Sequence, residues 1–285
     1  MGFEFMKRVS SLFLSVVLLS SSFALADEPQ VLQQDNLVAW CIVPFDAAKR
    51  TPPERAAMLK ELGIQRCAYD WRTEHVPTFE AEIQAYQQEG IEFFAFWRVH
   101  DQAFELFKKY DLHPQIWETI PLTDADTQEA RVEQAAQRLQ AVAKRTQHAG
   151  FPLGLYNHGG WGGEPENMVA VCQKLRSMGF DHVGIVYNFH HGHEHIADWP
   201  VVFGLMKPYL ICLNLNGMND KAKPKILGIG KGKHERAMIE TIVESGYNGP
   251  IGILDHRNEL DAKESLQENL TGLATVVKEL PTETK

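Results

Sequence analysis

The chain has 285 residues, 44% of them hydrophobic and 23% charged, with 37 acidic against 28 basic side chains and a net charge of −9. That acidic balance repels phosphate backbones and anionic lipid heads, so it argues against nucleic acid or a membrane surface as partner and leaves neutral small molecules. The length fits one large α/β domain better than two small ones.

Residues 1–26 read as a secretory signal peptide. Lys7 and Arg8 precede the apolar run Leu12–Leu19, and Ala24-Leu25-Ala26 is a small-x-small cleavage site before Asp27. The apolar part is short for a bilayer span, which sets the export reading against a retained anchor. Export places the protein in a periplasm or outside the cell, with no membrane attachment after cleavage. Residues 27–36 read as a polar lead-in and 37–285 as the folded domain.

In chain order, Leu37–Val43 is the first expected strand. Thr51-Pro52-Pro53-Glu54 then opens a helix that Gly63 stops. Strand two is 64–69, followed by a helix over 77–88. Strand three is 91–97, with a helix over 101–110, and strand four is 113–117, with a long helix over 126–148. Strand five is 152–156 with a helix over 164–178. Strand six, Val183–Tyr187, breaks into the histidine burst Asn188-Phe189-His190-His191-Gly192-His193-Glu194-His195. Pro200 interrupts the helix that follows. Strand seven is 208–215, a loop rich in glycine and lysine runs to 233, and a helix covers 234–245. Strand eight is 250–254, before a final helix over 263–280. Helix after helix ends in glycine immediately before a strand. Eight such units predict parallel strands joined by right-handed crossovers and closed into a (β/α)8 TIM barrel. An open doubly wound sheet is the runner-up, but no GxGxxG follows the first strand.

In that barrel the chemistry belongs at the C-terminal strand ends. Those ends carry Asp70, Trp71 and Arg72; Trp97, Arg98 and His100; Trp117 and Glu118; Asn157, His158 and Trp161; Asn188 to His193; Asn214 and Asn216; and Asp255, His256 and Arg257. His158, His191 and His256 leave three different strands, so barrel closure brings them together. With oxygen from Asn188 they would make a divalent metal site for Mn, Zn, Mg or Co. Glu118, Asp255 and Asp70 are the carboxylates available as a general base, and His191 is a further catalytic candidate. Trp71, Trp97 and Trp161, with Arg72, Arg98, Asn157, Asn214 and Asn216, suit a sugar, since rings stack on aromatics and hydroxyls bond to Arg and Asn. Each tryptophan serves equally as rim packing. Arg72, Arg98, Arg257 and Lys231 could instead meet an anion. The loop Gly228-Ile229-Gly230-Lys231-Gly232 lacks the Ser or Thr of a P-loop. Cys41, Cys67, Cys172 and Cys212 include no CxxC pair and read mainly as buried thiols. A Cys41–Cys67 disulfide stays open, because the two fall on consecutive strands.

At Asn188 with His191 three residues on, at Asn214, and over 225–253 (KILGIGKGKHERAMIETIVESGYNGPIGI), the sequence resembles the xylose isomerase-like TIM barrel superfamily, the sugar phosphate isomerase/epimerase group. The resemblance implies the barrel, a sugar substrate and a metal held by Glu, Asp, His and Glu on strands five to eight. Here those places hold Tyr156-Asn157-His158, Asn188, Asn214 and Leu254-Asp255-His256. Asn binds metal weakly and is no base, so the metal site is either rebuilt from histidines or lost. Three functions follow as expectations. The first is an exported isomerase or epimerase acting on a sugar, keto-sugar or sugar acid by proton abstraction beside a carbonyl, with a metal polarising that carbonyl. The second is a non-catalytic carbohydrate-binding barrel. The third, an endonuclease of the same superfamily, is disfavoured by the negative charge.

Overall fold

The structure is a computed structural model that describes Met1, residues 29–254 and residues 256–281. The expected signal peptide, residues 1–26, falls outside this range beyond Met1. Eight strands close into one parallel barrel in sequential order. They are β1 (Leu37–Trp40), β2 (Arg66–Tyr69), β3 (Glu92–Trp97), β4 (Gln115–Thr119), β5 (Leu153–Tyr156), β6 (Val183–Asn188), β7 (Leu210–Leu215) and β8 (Ile251–Leu254). Closure pairs Leu37 with Ile251 and Trp40 with Leu254. The crossover helices are α1 (Pro52–Glu61), α2 (Phe79–Glu89), α3 (Asp101–Lys109), α4 (Gln128–Ala149), α5 (Pro165–Ser177), α6 (Trp199–Met206), α7 (Glu235–Glu244) and α8 (Ala262–Glu279).

Local chemistry sets these boundaries. At the start of α1 the Thr51 backbone N–H donates to the Glu54 carboxylate at 2.8 Å. Thr127 accepts from the Ala130 N–H at the start of α4, and Asp261 from the Lys263 N–H at the start of α8. Helices α2 and α4 stop on Gly90 and Gly150, both left-handed.

Two apolar layers follow from strand alternation. The outer layer packs strands against helices. The inner cluster fills the barrel with Val38, Trp40, Ala68, Ala95, Trp117, Tyr156, Val186, Cys212 and Leu254. The rings of Trp40 and Trp117 lie 4.2 Å apart and are fully buried. Indoles of that size fit because their neighbours have no side chain. A Cβ on Gly154 would stand 2.5 Å from Val186 Cγ2 and 2.7 Å from Trp117 Cδ1, and one on Gly252 would stand 2.5 Å from Trp40 Cε3. Between α1 and α2, the Arg55 guanidinium and the Glu82 carboxylate form a buried ion pair at 2.6 Å.

One expectation changes here, and one left open is settled. The lead-in is not simply polar: Val31 and Leu32 are buried, and Asn36 Nδ2 donates to the carbonyls of Val31 and Gly249. All four cysteines are buried and none is in a disulfide. Cys41 faces Asp70, with Sγ 3.5 Å from Oδ2, whereas Cys67 accepts from the Tyr86 hydroxyl of α2. The two thiols thus point to different layers. Among the described residues no helix is long and apolar enough to cross a membrane.

Candidate active site

A cavity of about 650 Å³ opens at the C-terminal ends of the strands. Its inner part is bounded by Trp97 and Tyr156, which stack edge to face 4.9 Å apart above Trp40 and Trp117. Cys41 and Asp70, from the ends of β1 and β2, line it, and so do His158 and His191, from the ends of β5 and β6. In a closed eight-stranded barrel β2 and β6 are four strands apart, so these pairs stand on opposite walls. His256, after β8, lies between them. Trp71, Arg72, Arg98 and Thr73 complete the rim.

Asp70 is buried, accepts from Arg72 Nη1 at 2.5 Å and faces the Cys41 thiol. From the opposite wall four imidazoles run in a contiguous row that ends at His256. Ring centres lie 4.7 Å apart for His158 and His191, 4.2 Å for His191 and His190, and 4.8 Å for His190 and His256. His190 Nδ1 and His256 Nδ1 are 3.2 Å apart, a hydrogen bond in which one ring carries the proton and the other accepts it. Burial, then the neighbouring His191, pushes His190 down to about 2. Burial, then His158, pushes His191 down to about 3. Burial lowers His256 as well, with Asp70 pulling the other way. At neutral pH His190 and His191 are therefore uncharged and keep a lone pair.

An amide network holds this row. Asn188 Oδ1 accepts from the His190 N–H and from Asn214 Nδ2, while Asn188 Nδ2 donates to the Tyr156 hydroxyl at 2.9 Å. Asn157 Oδ1 accepts from the Asn188 N–H, and Asn157 Nδ2 donates to the Asn188 carbonyl. Asn157, Asn188 and Asn214 are thus side chains that lock β5, β6 and β7 together below the cavity. Asn216 does similar work in the next loop, bonding Gly217, Lys225 and Leu227.

Of the residues singled out from the sequence, Trp71, Arg72, Trp97, Arg98, His158, His191 and His256 line the cavity. Asn157, Asn188, Asn214 and Asn216 are buried supports. Trp161 donates its indole N–H to Gln128 and is not among the lining residues, and Trp117 is barrel core. Glu118 follows the inward Trp117, so alternation turns it out of the barrel, where burial raises its carboxyl against the pull of Arg98. Asp255 lies outside the described residues. Lys231 and Arg257 are both paired with Glu268 of α8. Cys41, Phe45 and the loop Thr119–Leu122 line the cavity unannounced. The apolar run to Val43 masks Cys41 as a strand residue, and Phe45 follows it in a loop without a motif. In the fold β1 stops at Trp40, and Cys41 turns with φ +61.

The expected ion site of His158, Asn188, His191 and His256 does not fit this arrangement. Both amide atoms of Asn188 are committed to protein partners. Among the described residues no three His, Cys, Asp or Glu side chains are placed to hold one ion. A four-ligand centre needs its donors turned toward one point, and the strand-locking network turns Asn188 elsewhere.

No protein-family model matches the chain, and no curated protein matches it in sequence. Solved structures do match in shape. The chain superposes on IOLI with a bound zinc atom at a TM-score of 0.64, 13% identity, covering 86% of this chain and 99% of that one. It superposes on the 3-keto-D-glucoside 4-epimerase YcjR from E. coli at 0.61, 13% identity, covering 85% and 99%. A D-psicose 3-epimerase from Clostridium cellulolyticum H10, solved with D-tagatose, gives 0.60, 13% identity, covering 84% and 97%. At such identities what is shared is the fold, a closed (β/α)8 TIM barrel.

Proposed function

We propose that this chain is an exported enzyme that isomerises or epimerises a sugar, keto-sugar or sugar acid by moving a proton at the carbon beside a carbonyl. The observation that carries the reading is the pair of opposed walls, with Asp70 on one and His191 on the other. Proton abstraction flattens the reacting carbon into an enediol plane. Inversion then needs a group on each face, one to take the proton and one to return it. Asp70 is an acceptor fixed by Arg72. His191 starts out neutral; the enediolate formed when Asp70 takes the proton raises its basicity. His191 therefore takes up a proton from water and delivers it to the opposite face, while Asp70 gives its proton back to water. Arg98 at the rim supplies positive charge to the carbonyl oxygen as charge develops there. Trp71 and Trp97 offer faces for the sugar ring. Export rests on the leader-like residues 1–26. The shape likeness to sugar epimerases supports the substrate class. Because the described donors do not fit the expected ion, the steps are assigned to the chain's own groups.

The test is incubation with a panel of ketoses and keto-glucosides in D2O, with deuterium at the carbon beside the carbonyl read by mass spectrometry. Incorporation by the wild type is expected. A second reading, a binding-only barrel, is favoured by the asparagines at 188 and 214 where the superfamily pattern has a carboxylate and a histidine. Sugar binding by calorimetry without any exchange or conversion would establish it instead.

A further inference from the structure

The cavity is larger than one sugar ring needs, and its outer part differs in chemistry from its inner part. About 650 Å³ is room for about 20 water-sized groups at roughly 30 Å³ each, against about twelve non-hydrogen atoms in a free hexose. The inner part carries Asp70, the imidazoles and Tyr156. The rim also carries Phe45, from the loop after β1, and Ile120, Pro121 and Leu122, from the β4–α4 loop, and in a closed barrel of eight those two loops are three strands apart.

Leu122 is the informative residue. The residue is 84% exposed, one of four exposed large apolar residues among the described residues, with Met1, Val201 and Leu205. Of these, Leu122 lines this cavity. Its backbone is tied down: the Leu122 carbonyl accepts from Arg138 of α4, Arg138 also pairs with Asp124, and Gln134 bonds Asp124. The loop is therefore anchored to a long helix while it holds an apolar side chain in water at the mouth of a polar site. On the β1 side, Phe45 sits edge-on to His256 with ring centres 3.9 Å apart, and the Arg72 guanidinium lies 5.4 Å from its ring centre. Phe45 is thus a fixed aromatic surface on the same rim as Leu122.

We infer that this outer half is a second subsite, and that the substrate is a glycoside whose second ring or aglycone lies between Leu122 and Phe45 while the reacting sugar occupies the inner half. This rests on the reading of the cavity as a carbohydrate site. A free monosaccharide would leave Leu122 in solvent. A glycosidic ring or aromatic aglycone would cover it with its apolar face.

The experiment is isothermal titration of the whole protein with two matched sets, D-glucose, phenyl β-D-glucopyranoside and cellobiose, and D-galactose, phenyl β-D-galactopyranoside and lactose. It is repeated on Leu122→Asp, a surface change that melting curves should show to be neutral. The glycosides of at least one set are expected to bind about tenfold or more tighter than the free hexose, with Leu122→Asp erasing that gap and leaving the hexose affinity unchanged. Equal affinity for hexose and glycosides, or a gap that survives in Leu122→Asp, overturns the second subsite while the sugar cavity stands. No binding of any of the six sinks the carbohydrate reading and the subsite with it.

Discussion

Replacing Asn188 by alanine probes the hub that seats the imidazole row. The side chain is 1% exposed and makes three side-chain hydrogen bonds, two accepted by Oδ1 and one donated by Nδ2. Its loss strips partners unequally. Asn214 Nδ2 keeps a bond to the Leu215 carbonyl, whereas the His190 N–H and the Tyr156 hydroxyl lose the Asn188 partners described. Two buried groups left unpaired at about 1–3 kcal/mol each put the destabilisation at about 4 kcal/mol. Equilibrium urea unfolding reads it as a lower midpoint with an unchanged slope. A double-mutant cycle with Asn214→Ala should show coupling of about 1 kcal/mol, since the two amides bond directly. A loss below about 1 kcal/mol for Asn188→Ala, or additivity in the cycle, would refute the hub.

Other outcomes follow from the same packing. Gly154→Ala places a methyl 2.5 Å from Val186 Cγ2 and 2.7 Å from Trp117 Cδ1, and overpacking of that kind should cost about 1–3 kcal/mol in urea melts. Glu82→Ala leaves the Arg55 charge buried and unpaired, so a loss of about 3–5 kcal/mol is expected, and a neutral result would contradict the pairing. The buried His190 ties stability to pH. Its folded value, about 2, lies far below an ordinary histidine, so between that value and about 6.5 the unfolded chain binds the extra proton. Its contribution is complete above pH 6.5 and falls with acidification by up to about 1.4 kcal/mol per pH unit. His190→Gln should flatten the stability profile between pH 6.5 and 4 relative to wild type, and parallel profiles would contradict the assignment.

The barrel was legible because its signals are local and repeat. Apolar runs of strand length, glycines behind helices and a cap such as Thr51 each fix one boundary without reference to the rest of the chain. Parallel closure then placed His158, His191 and His256 around one cavity, as their positions at strand ends implied. The amide roles were not legible. Asn157, Asn188 and Asn214 look like ligands in sequence, and only the pairing of β5, β6 and β7 shows that their polar atoms are spent on one another. Alternation decides Glu118 in the same way, because Trp117 takes the inward position. Cys41 was hidden by a strand that ends three residues before its apolar run does. The Leu122 loop carries no motif, and its place at the mouth depends on the anchor to Arg138, sixteen residues away.

The two-wall account is tested most directly by following solvent deuterium into each of the two epimers of a substrate separately, with wild type, Asp70→Asn and His191→Gln. The account predicts that wild type exchanges both epimers, that each variant fails to interconvert them, and that each still exchanges one epimer, a different one for each variant. Loss or retention of exchange in both epimers alike, in either variant, would contradict it.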